Sequence, residues 1–109
     1  MNHLGAQPSN QQVNNVLKLL GDHWTLLLIY ELLNGKRKYS QLQYALGIST
    51  NILSNRLLQL AEYGIIVKIP YQKRPVRYEY MLTPKGQQLD SVFLAIIKWG
   101  IMFQESKNG

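Results

Sequence analysis

The sequence predicts one α+β domain that is mainly helical, with helices on both sides of a two-stranded hairpin. Three observations support this prediction. Apolar residues recur at helical spacing through the first 63 residues, and again after residue 83. Between these stretches, residues 65–82 are rich in β-branched side chains and alternate apolar with polar ones. At 109 residues the chain is near the usual size of a single domain and too short for two good cores.

The charge of the chain is concentrated in its middle. The chain is 46% hydrophobic and 17% charged, which is typical of a globular protein. Its net charge is +6, and residues 36–85 carry nine basic and two acidic side chains. This local positive field indicates a docking site for a polyanion, although a merely soluble basic protein would also show an excess of cations.

Two absences limit the possible functions. With no cysteine, the chain has no disulfide, no thiolate nucleophile and no thiol redox switch. The N-terminus lacks the basic-then-apolar pattern of a signal peptide, and no apolar run reaches the ~20 residues that span a bilayer. We therefore expect a cytoplasmic protein.

The first two helices follow a loose arm at residues 1–8. Ser9 and Gln12 have the spacing of a capping box, and apolar residues then repeat at helical intervals until Gly21 ends the first helix. The second helix, residues 23–33, has almost no polar face. It should be buried on most sides and act as a scaffold.

The next two helices are separated by a very short turn. Ser40 is the expected cap of the third helix, with Gln43 at the reciprocal position, and Leu42, Ala45 and Leu46 should face inward. Only Gly47 and Ile48 lie before Ser49, the expected cap of the fourth helix. A turn this tight is the spacing of a helix-turn-helix, in which the second helix enters the major groove of DNA.

The fourth helix, residues 49–63, has two distinct faces and ends at Gly64. One face is an apolar stripe for the core: Leu53, Leu57, Leu60 and Ala61. Off this stripe lie Asn51, Ser54, Asn55 and Gln59. Outward helix faces usually carry Lys and Glu, whereas Asn, Ser and Thr are side chains that hydrogen-bond to base edges and phosphates. An ordinary polar surface helix is the alternative.

A hairpin follows Gly64. Its first strand covers residues 65–69 and should end at Pro70, and its second covers residues 76–82. The loop at residues 71–75 carries Lys73 and Arg74 near its tip. Such a wing, residues 70–77, could hold flanking DNA, although an ordinary solvated hairpin tip fits the same residues.

Thr83 and Pro84 should open a last helix that continues to about Phe103. Between residues 92 and 103 its only charge is Lys98, and apolar side chains point in almost every direction. A terminal helix on so small a domain cannot bury all of these residues against its own core. We therefore predict a homodimer, with a heteromeric partner as the weaker alternative.

These elements make a winged helix-turn-helix with terminal helices for dimerisation, and the residues resemble a known family. The motifs are G-x-x-W-T-L-L-L, G-I-S-x-x-x-L-S-x-R-L and R-Y-E-Y-x-L-T-P-x-G. In combination they are similar to the HxlR-type transcriptional regulators of bacteria, over about residues 16–100. The resemblance implies a dimer held by the terminal helices that binds an inverted repeat near a promoter. Several members sense oxidants through a cysteine ahead of the first helix, whereas this chain has Gln11 and Gln12 there, so thiol sensing is excluded.

Catalysis fits the sequence poorly. The histidines are His3, in the arm, and His23, whose neighbour Asp22 points away from it on a helix. Zinc would need three or four ligands, and no glycine-rich phosphate loop is present. We expect no enzyme, cofactor or metal. A winged helix that binds protein is the main alternative; binding of double-stranded RNA is disfavoured because its major groove excludes a helix.

The predicted sites are therefore an interface for double-stranded DNA and a dimer interface. Base edges are assigned to Thr50, Asn51, Ser54 and Asn55, and Arg56 should bury its stem and place its guanidinium on a phosphate or guanine. The complete DNA-binding set is Lys38, Ser40, Gln41, Ser49, Thr50, Asn51, Ser54, Asn55, Arg56, Lys73, Arg74 and Arg77. The predicted dimer residues are Val13, Val16, Leu17, Leu20, Phe93, Ile96, Ile97, Trp99 and Phe103. A small-molecule effector in an aromatic cavity is possible, but such residues at helical spacing are more often core.

Overall fold

The computed structural model describes the backbone of residues 7–108 and the side chains of residues 7–104. Most of the predicted arm, residues 1–6 with His3, lies outside the described residues. Within residues 7–108, six helices and three strands follow in the order α1 (Asn10–Leu20), α2 (His23–Leu32), β1 (Arg37–Lys38), α3 (Tyr39–Leu46), α4 (Thr50–Glu62), β2 (Ile66–Lys73), β3 (Val76–Leu82), α5 (Pro84–Gln87) and α6 (Leu89–Asn108).

Most helix starts lie where the capping residues predict them. Ser9 and Gln12 form the expected capping box of α1, and Ser49 caps α4 by accepting a hydrogen bond from the Ile52 N–H. Gly64 has a φ of 72° and ends the turn after α4 in the left-handed region.

The start of α3 was predicted wrongly. The helix begins at Tyr39, with the extended residue Lys38 as its N-cap, and Ser40 lies inside the first turn. The Gln41 side chain, not that of Gln43, accepts a hydrogen bond of 2.7 Å from the Lys38 N–H. Lys38 is extended because it belongs to a strand, and this tertiary constraint overrides the usual preference for Ser at an N-cap.

The sheet has three strands rather than the two that were predicted. Its order is β1-β3-β2, all antiparallel, and β1 pairs Arg37 with Tyr80 and Lys38 with Glu79. Pro70 does not end β2, because β2 lies at an edge of the sheet and a register irregularity between Pro70 and Gln72 accommodates the ring. The tip of the wing is therefore only Arg74 and Pro75, and most of the predicted loop is strand.

The C-terminal helix is divided in two. Thr83 caps α5 as predicted, but the helix ends at Gln87 and α6 begins at Leu89. The Thr83 hydroxyl donates to the Gly64 and Ile65 carbonyl oxygens and accepts from the Gly86 N–H. Gly86 lies so close to the Ile65 carbonyl that an added Cβ would collide with it. These contacts bind α5 to the segment that follows α4.

The core lies between α2, α3, α4 and the sheet. Its buried residues are Leu28, Ile29, Leu32, Leu42, Ile48, Leu53, Leu57, Leu60, Ile65, Ile66, Leu82 and Phe93. Ala45 and Ala61 are exposed, although the helical pattern predicted them to face inward. In α2, four of ten residues are buried and four are partly buried, whereas His23 and Tyr30 are exposed. Within residues 7–108, no helix has the length and apolar character needed to cross a membrane.

Candidate nucleic-acid interface

The first two turns of α4 present a polar face to solvent. Thr50, Asn51, Ser54 and Asn55 are all exposed, whereas Leu53 on the opposite face is fully buried. The buried stripe fixes the rotation of the helix about its axis, because turning it would expose the leucines. Four side chains predicted to contact bases therefore share an accessible surface.

Two of these four side chains are held by α3. The Tyr39 hydroxyl donates to the Thr50 carbonyl oxygen at 3.1 Å and lies 2.8 Å from Ser54 Oγ. The Gln43 amide donates to Thr50 Oγ1 at 2.9 Å. Neither Tyr39 nor Gln43 is among the residues predicted for the site. Their separation by one helical turn, which places both on one side of α3, was the available signal.

The guanidinium of Arg56, which is predicted to contact a phosphate or guanine, forms contacts within the chain. Its Nε lies 2.8 Å from Asp22 Oδ2, and its Nη2 lies 3.2 Å from Asp22 Oδ1, so the two side chains form a bidentate ion pair. The remaining nitrogen, Nη1, donates to Asn55 Oδ1 at 2.7 Å. In the free chain the Arg56 guanidinium is thus bound to Asp22 and Asn55, and its contact with a phosphate or guanine stays a prediction. Asp22 is 34 residues away along the chain, so no local spacing could reveal this pair.

Asp22 also fixes the start of α2. Its Oδ2 accepts hydrogen bonds from the Thr25 N–H at 2.9 Å and from the Thr25 hydroxyl at 3.0 Å. The hydrogen bond from Arg56, with smaller contributions from Thr25, holds the pKa of the Asp22 carboxyl well below its usual value. The same pair raises the pKa of the Arg56 guanidinium. Both groups are therefore charged at neutral pH.

The wing carries exposed cations. Lys73, Arg74 and Arg77 are all exposed at or beside its tip, where the Gln72 amide donates to the carbonyl oxygens of Arg74 and Pro75. The aromatic residues of the wing hold lysines by cation–π contacts. Lys38 Nζ lies 4.5 Å from the ring centroid of Tyr71, and a similar contact joins Lys68 to Tyr78.

A cleft of about 330 Å³ separates the wing from the start of α3. It is lined by Lys38, Tyr39 and Ser40 on one side and by residues of β2 and β3, among them Tyr71, Arg77 and Tyr78, on the other. Tyr39 also bonds to α4, so the start of α3 connects the polar face of α4 with the wing. Ser40 and Gln41 are exposed here, although the Gln41 carbonyl is engaged by the Lys38 N–H.

The candidate dimer residues are mostly exposed in the single chain. No residue of α1 is buried, and Leu20 is partly covered. On α6, the side chains of Ile96, Ile97, Trp99 and Phe103 are exposed. The assignment of Phe93 to the dimer interface needs correction. Its side chain is only 9% exposed and belongs to the core, where its ring lies beside that of Tyr30, with centroids 6.0 Å apart.

Comparison with known proteins assigns the chain to a family. The family model described as HxlR-like helix-turn-helix matches residues 19–108. The chain belongs to this family. The resemblance drawn from the sequence motifs is therefore confirmed, and the matched region includes every element from α2 to α6.

Relatives of this HxlR-like chain are named as transcriptional regulators. An uncharacterised HTH-type transcriptional regulator of Mycobacterium tuberculosis is 39% identical over 90 residues, which cover 83% of this chain. This chain spans only 57% of the length of that relative. The HTH-type transcriptional regulator YodB of Bacillus subtilis is 30% identical over 95 residues, covering 86% of this chain and 85% of YodB.

Solved structures share the fold of the HxlR-like chain. A transcriptional regulator of the MarR family from Enterococcus faecalis V583 aligns over 97% of each chain, with a TM-score of 0.81 and 28% identity. The reduced form of B. subtilis YodB aligns over 89% of this chain and 95% of YodB, with a TM-score of 0.77 and 28% identity. The predicted winged helix-turn-helix architecture is thus confirmed, with a third strand added to its sheet.

Proposed function

We propose that this chain is a sequence-specific, DNA-binding transcriptional regulator that acts as a homodimer on an inverted repeat. The observation that carries this proposal is the exposed polar face of α4, braced by α3 within an HxlR-like helix-turn-helix fold. Each subunit places the N-terminal half of α4 in a major groove, with the two half-sites about one helical turn apart. Action on chromosomal DNA places the protein in the cytoplasm.

The contacts divide between bases and backbone. Thr50, Asn51, Ser54 and Asn55 face the base edges, where Asn is the most discriminating of these side chains. The backbone contacts come from the residues around the start of α3, the cap of α4 and the wing: Lys38, Ser40, Gln41, Ser49, Lys73, Arg74 and Arg77. These residues set register and affinity, because phosphate contacts carry little sequence information.

The apolar surfaces of the terminal helices support the dimer. Trp99 is 64% exposed, Phe103 is 61% exposed, and Leu17 on α1 is 60% exposed. Apolar side chains of this size, grouped on two helices of one small domain, are typical of a surface that is covered by another subunit. Two subunits related by a two-fold axis would match the symmetry of an inverted repeat.

The test is a selection of bound duplexes from random DNA with the purified full chain. We expect enrichment of an inverted repeat whose half-sites are separated by about 10 base pairs. The matched control is the double variant Asn51→Ala with Asn55→Ala, which keeps the charge and the buried face of α4 and should lose the enrichment. If the unaltered chain enriches no sequence, or binds all duplexes alike, the proposal is wrong.

A further inference from the structure

We propose that Asp22 determines which base Asn55 reads, by acting through Arg56. In this arrangement the Asn55 carbonyl is turned toward Arg56, and its amide N–H groups are left to face the major groove. The inference deepens the proposed function and rests on it, because it takes Asn55 as a base contact. It assigns a DNA-positioning role to the residue that caps α2, outside the helix-turn-helix.

The geometry forms a relay of three side chains from the scaffold helix to the recognition helix. The Asp22 side chain is held in place because one of its carboxylate oxygens caps α2 by accepting hydrogen bonds from Thr25. Two hydrogen bonds to that carboxylate in turn orient the Arg56 guanidinium. Its Nη1 then reaches Asn55 Oδ1 at 2.7 Å, so each member is oriented by the one before it.

The shape of the guanidinium group allows Arg56 to bind Asp22 and Asn55 at the same time. The group is planar and carries five N–H donors in a fixed fork. Two nitrogens on one edge of the Arg56 guanidinium, Nε and Nη2, bind the two Asp22 oxygens. This orientation directs the third nitrogen, Nη1, to the exposed Asn55. A lysine could neutralise Asp22, but its point charge would not hold two partners in a defined plane.

Partial burial favours an ordered relay. The side chain of Arg56 is 25% exposed and that of Asp22 is 32% exposed, so water is excluded from most of the pair. A fully exposed pair would contribute little and would leave both side chains mobile. Bidentate geometry with additional hydrogen bonds to the carboxylate makes this pair stronger than an isolated surface contact.

The orientation of the amide selects a class of base edge. A freely rotating Asn pairs with adenine, because its carbonyl accepts from N6 while its amide donates to N7. When Arg56 donates to the Asn55 carbonyl oxygen, that oxygen is turned away from the DNA, and Asn55 presents only its amide N–H groups to the base. Guanine presents two acceptors, N7 and O6, on its major-groove edge, whereas adenine presents one acceptor and one donor. The relay therefore favours guanine over adenine at the base that Asn55 faces.

The experiment measures affinity for duplexes that differ only at this base. The position is located first, as the base at which Asn55→Ala removes discrimination. We expect the unaltered chain to bind guanine about tenfold more tightly than adenine there, in line with one good amide contact. In Asp22→Asn this preference should fall to about twofold or reverse, because Asn55 can then turn its carbonyl outward.

Three comparisons separate positioning from a general loss of structure. Asp90→Asn makes the same charge change at an exposed site on α6 and should keep the guanine preference. Arg56→Lys keeps the charge and should lose the preference, as Asp22→Asn does. In the free protein, the Nε–H of Arg56 should exchange with solvent more slowly than that of the exposed Arg74, and this protection should disappear in Asp22→Asn.

The outcomes distinguish this inference from the function on which it rests. If the unaltered chain selects an operator but Asp22→Asn keeps the same preference, or if adenine is preferred throughout, the relay does not set specificity. Equal exchange of the Arg56 and Arg74 Nε–H groups would also overturn the relay. If the unaltered chain selects no operator, the proposed function fails, and the inference fails with it.

Discussion

The hydroxyl of Tyr39 lies 2.8 Å from Ser54 Oγ, which joins the first residue of α3 to the exposed face of α4. The same hydroxyl donates to the Thr50 carbonyl oxygen. One side chain therefore supports a predicted base contact and the first turn of the helix that carries it. The support comes from α3, which braces the recognition helix of a helix-turn-helix across the DNA backbone.

Tyr39→Phe tests this support. Removing the hydroxyl should lower the free energy of unfolding by about 1 kcal/mol, the usual net value of a hydrogen bond. Urea denaturation measures the change. Tyr44→Phe is the matched control, because Tyr44 lies on the same helix and is 92% exposed. It should stay within about 0.5 kcal/mol of the unaltered chain. Equal effects of the two variants would show that the Tyr39 hydroxyl contributes nothing specific.

The Asp22–Arg56 pair predicts a dependence of stability on pH. The pKa of Asp22 is lowered in the folded state from its ordinary value of 3.8, so the ionised carboxylate stabilises the fold above about pH 4. This contribution is lost as the pH falls through the folded pKa. The stability difference between the unaltered chain and Asp22→Asn should therefore be constant near neutral pH and should shrink below pH 4.

Thermal unfolding across a series from neutral to acidic pH measures that difference. Asn retains the ability to cap α2, so the comparison isolates the charge. Asp90→Asn serves as the control for the removal of an exposed carboxylate. A difference between Asp22→Asn and the unaltered chain that grew as the pH fell would contradict the assigned direction.

Gly86→Ala should destabilise the domain. The added methyl group would collide with the Ile65 carbonyl and press on the Leu82 side chain, so α5 would have to move. Forcing extra volume into such a contact typically costs about 1–3 kcal/mol. Chemical denaturation measures the loss, and Gln87→Ala, at the exposed neighbouring position, should change stability much less. Similar stability for both variants would show that α5 can shift at little cost.

Lys73→Ala should weaken binding to all DNA sequences. Lys73 lies beside the wing tip and is proposed to contact phosphate, so its removal should reduce the slope of log affinity against log salt by about one. Lys18→Ala removes the same charge from α1, away from the helix-turn-helix, and should leave that slope nearly unchanged. Titrations at several salt concentrations measure both slopes. A sequence-dependent loss in Lys73→Ala would instead place Lys73 at a base.

Trp99→Glu should convert the proposed homodimer to monomers. A charge on the exposed apolar face of α6 cannot be buried against a second subunit without a large desolvation penalty. Sedimentation of the unaltered and variant chains measures the change. Leu58→Glu introduces the same charge at a side chain on α4 that is 60% exposed, and it should leave the assembly intact. If Trp99→Glu sediments like the unaltered chain, α6 is not the interface.

Patterns among neighbouring residues predicted most of the fold. Ser9, Ser49 and Thr83 cap helices because a side-chain oxygen can meet nearby backbone N–H groups, a relationship that needs only neighbouring residues. The β-branched residues after Gly64 predicted β2, although not its end, and the alternation over residues 76–82 predicted β3. The apolar stripe of α4 predicted its buried side. These patterns agree with the structure because local preference and tertiary burial favour the same conformation.

Features that depend on distant partners could not be predicted in this way. The Arg37–Lys38 strand is two residues long and exists because β3 provides a partner, so its sequence carries no periodic signal. Because Lys38 belongs to this strand and caps α3, the helix begins at Tyr39, before the predicted cap Ser40. The assignment of Arg56 to DNA rests on its charge and position alone, since its partner Asp22 lies 34 residues away, at the cap of another helix. Pro70 was read as a strand end, although an edge strand tolerates proline.

The pairing of β1 with β3 has a consequence for how an operator would be read. This pairing connects β3, the strand that continues from the wing, to the residues just before α3, and Tyr39 extends the connection to α4. A duplex that bends at its edges and displaces the wing would therefore tilt the helix lying in the groove. Base changes at the outer and central positions of a half-site should alter affinity non-additively, with the mechanical coupling carried by a strand of only two residues.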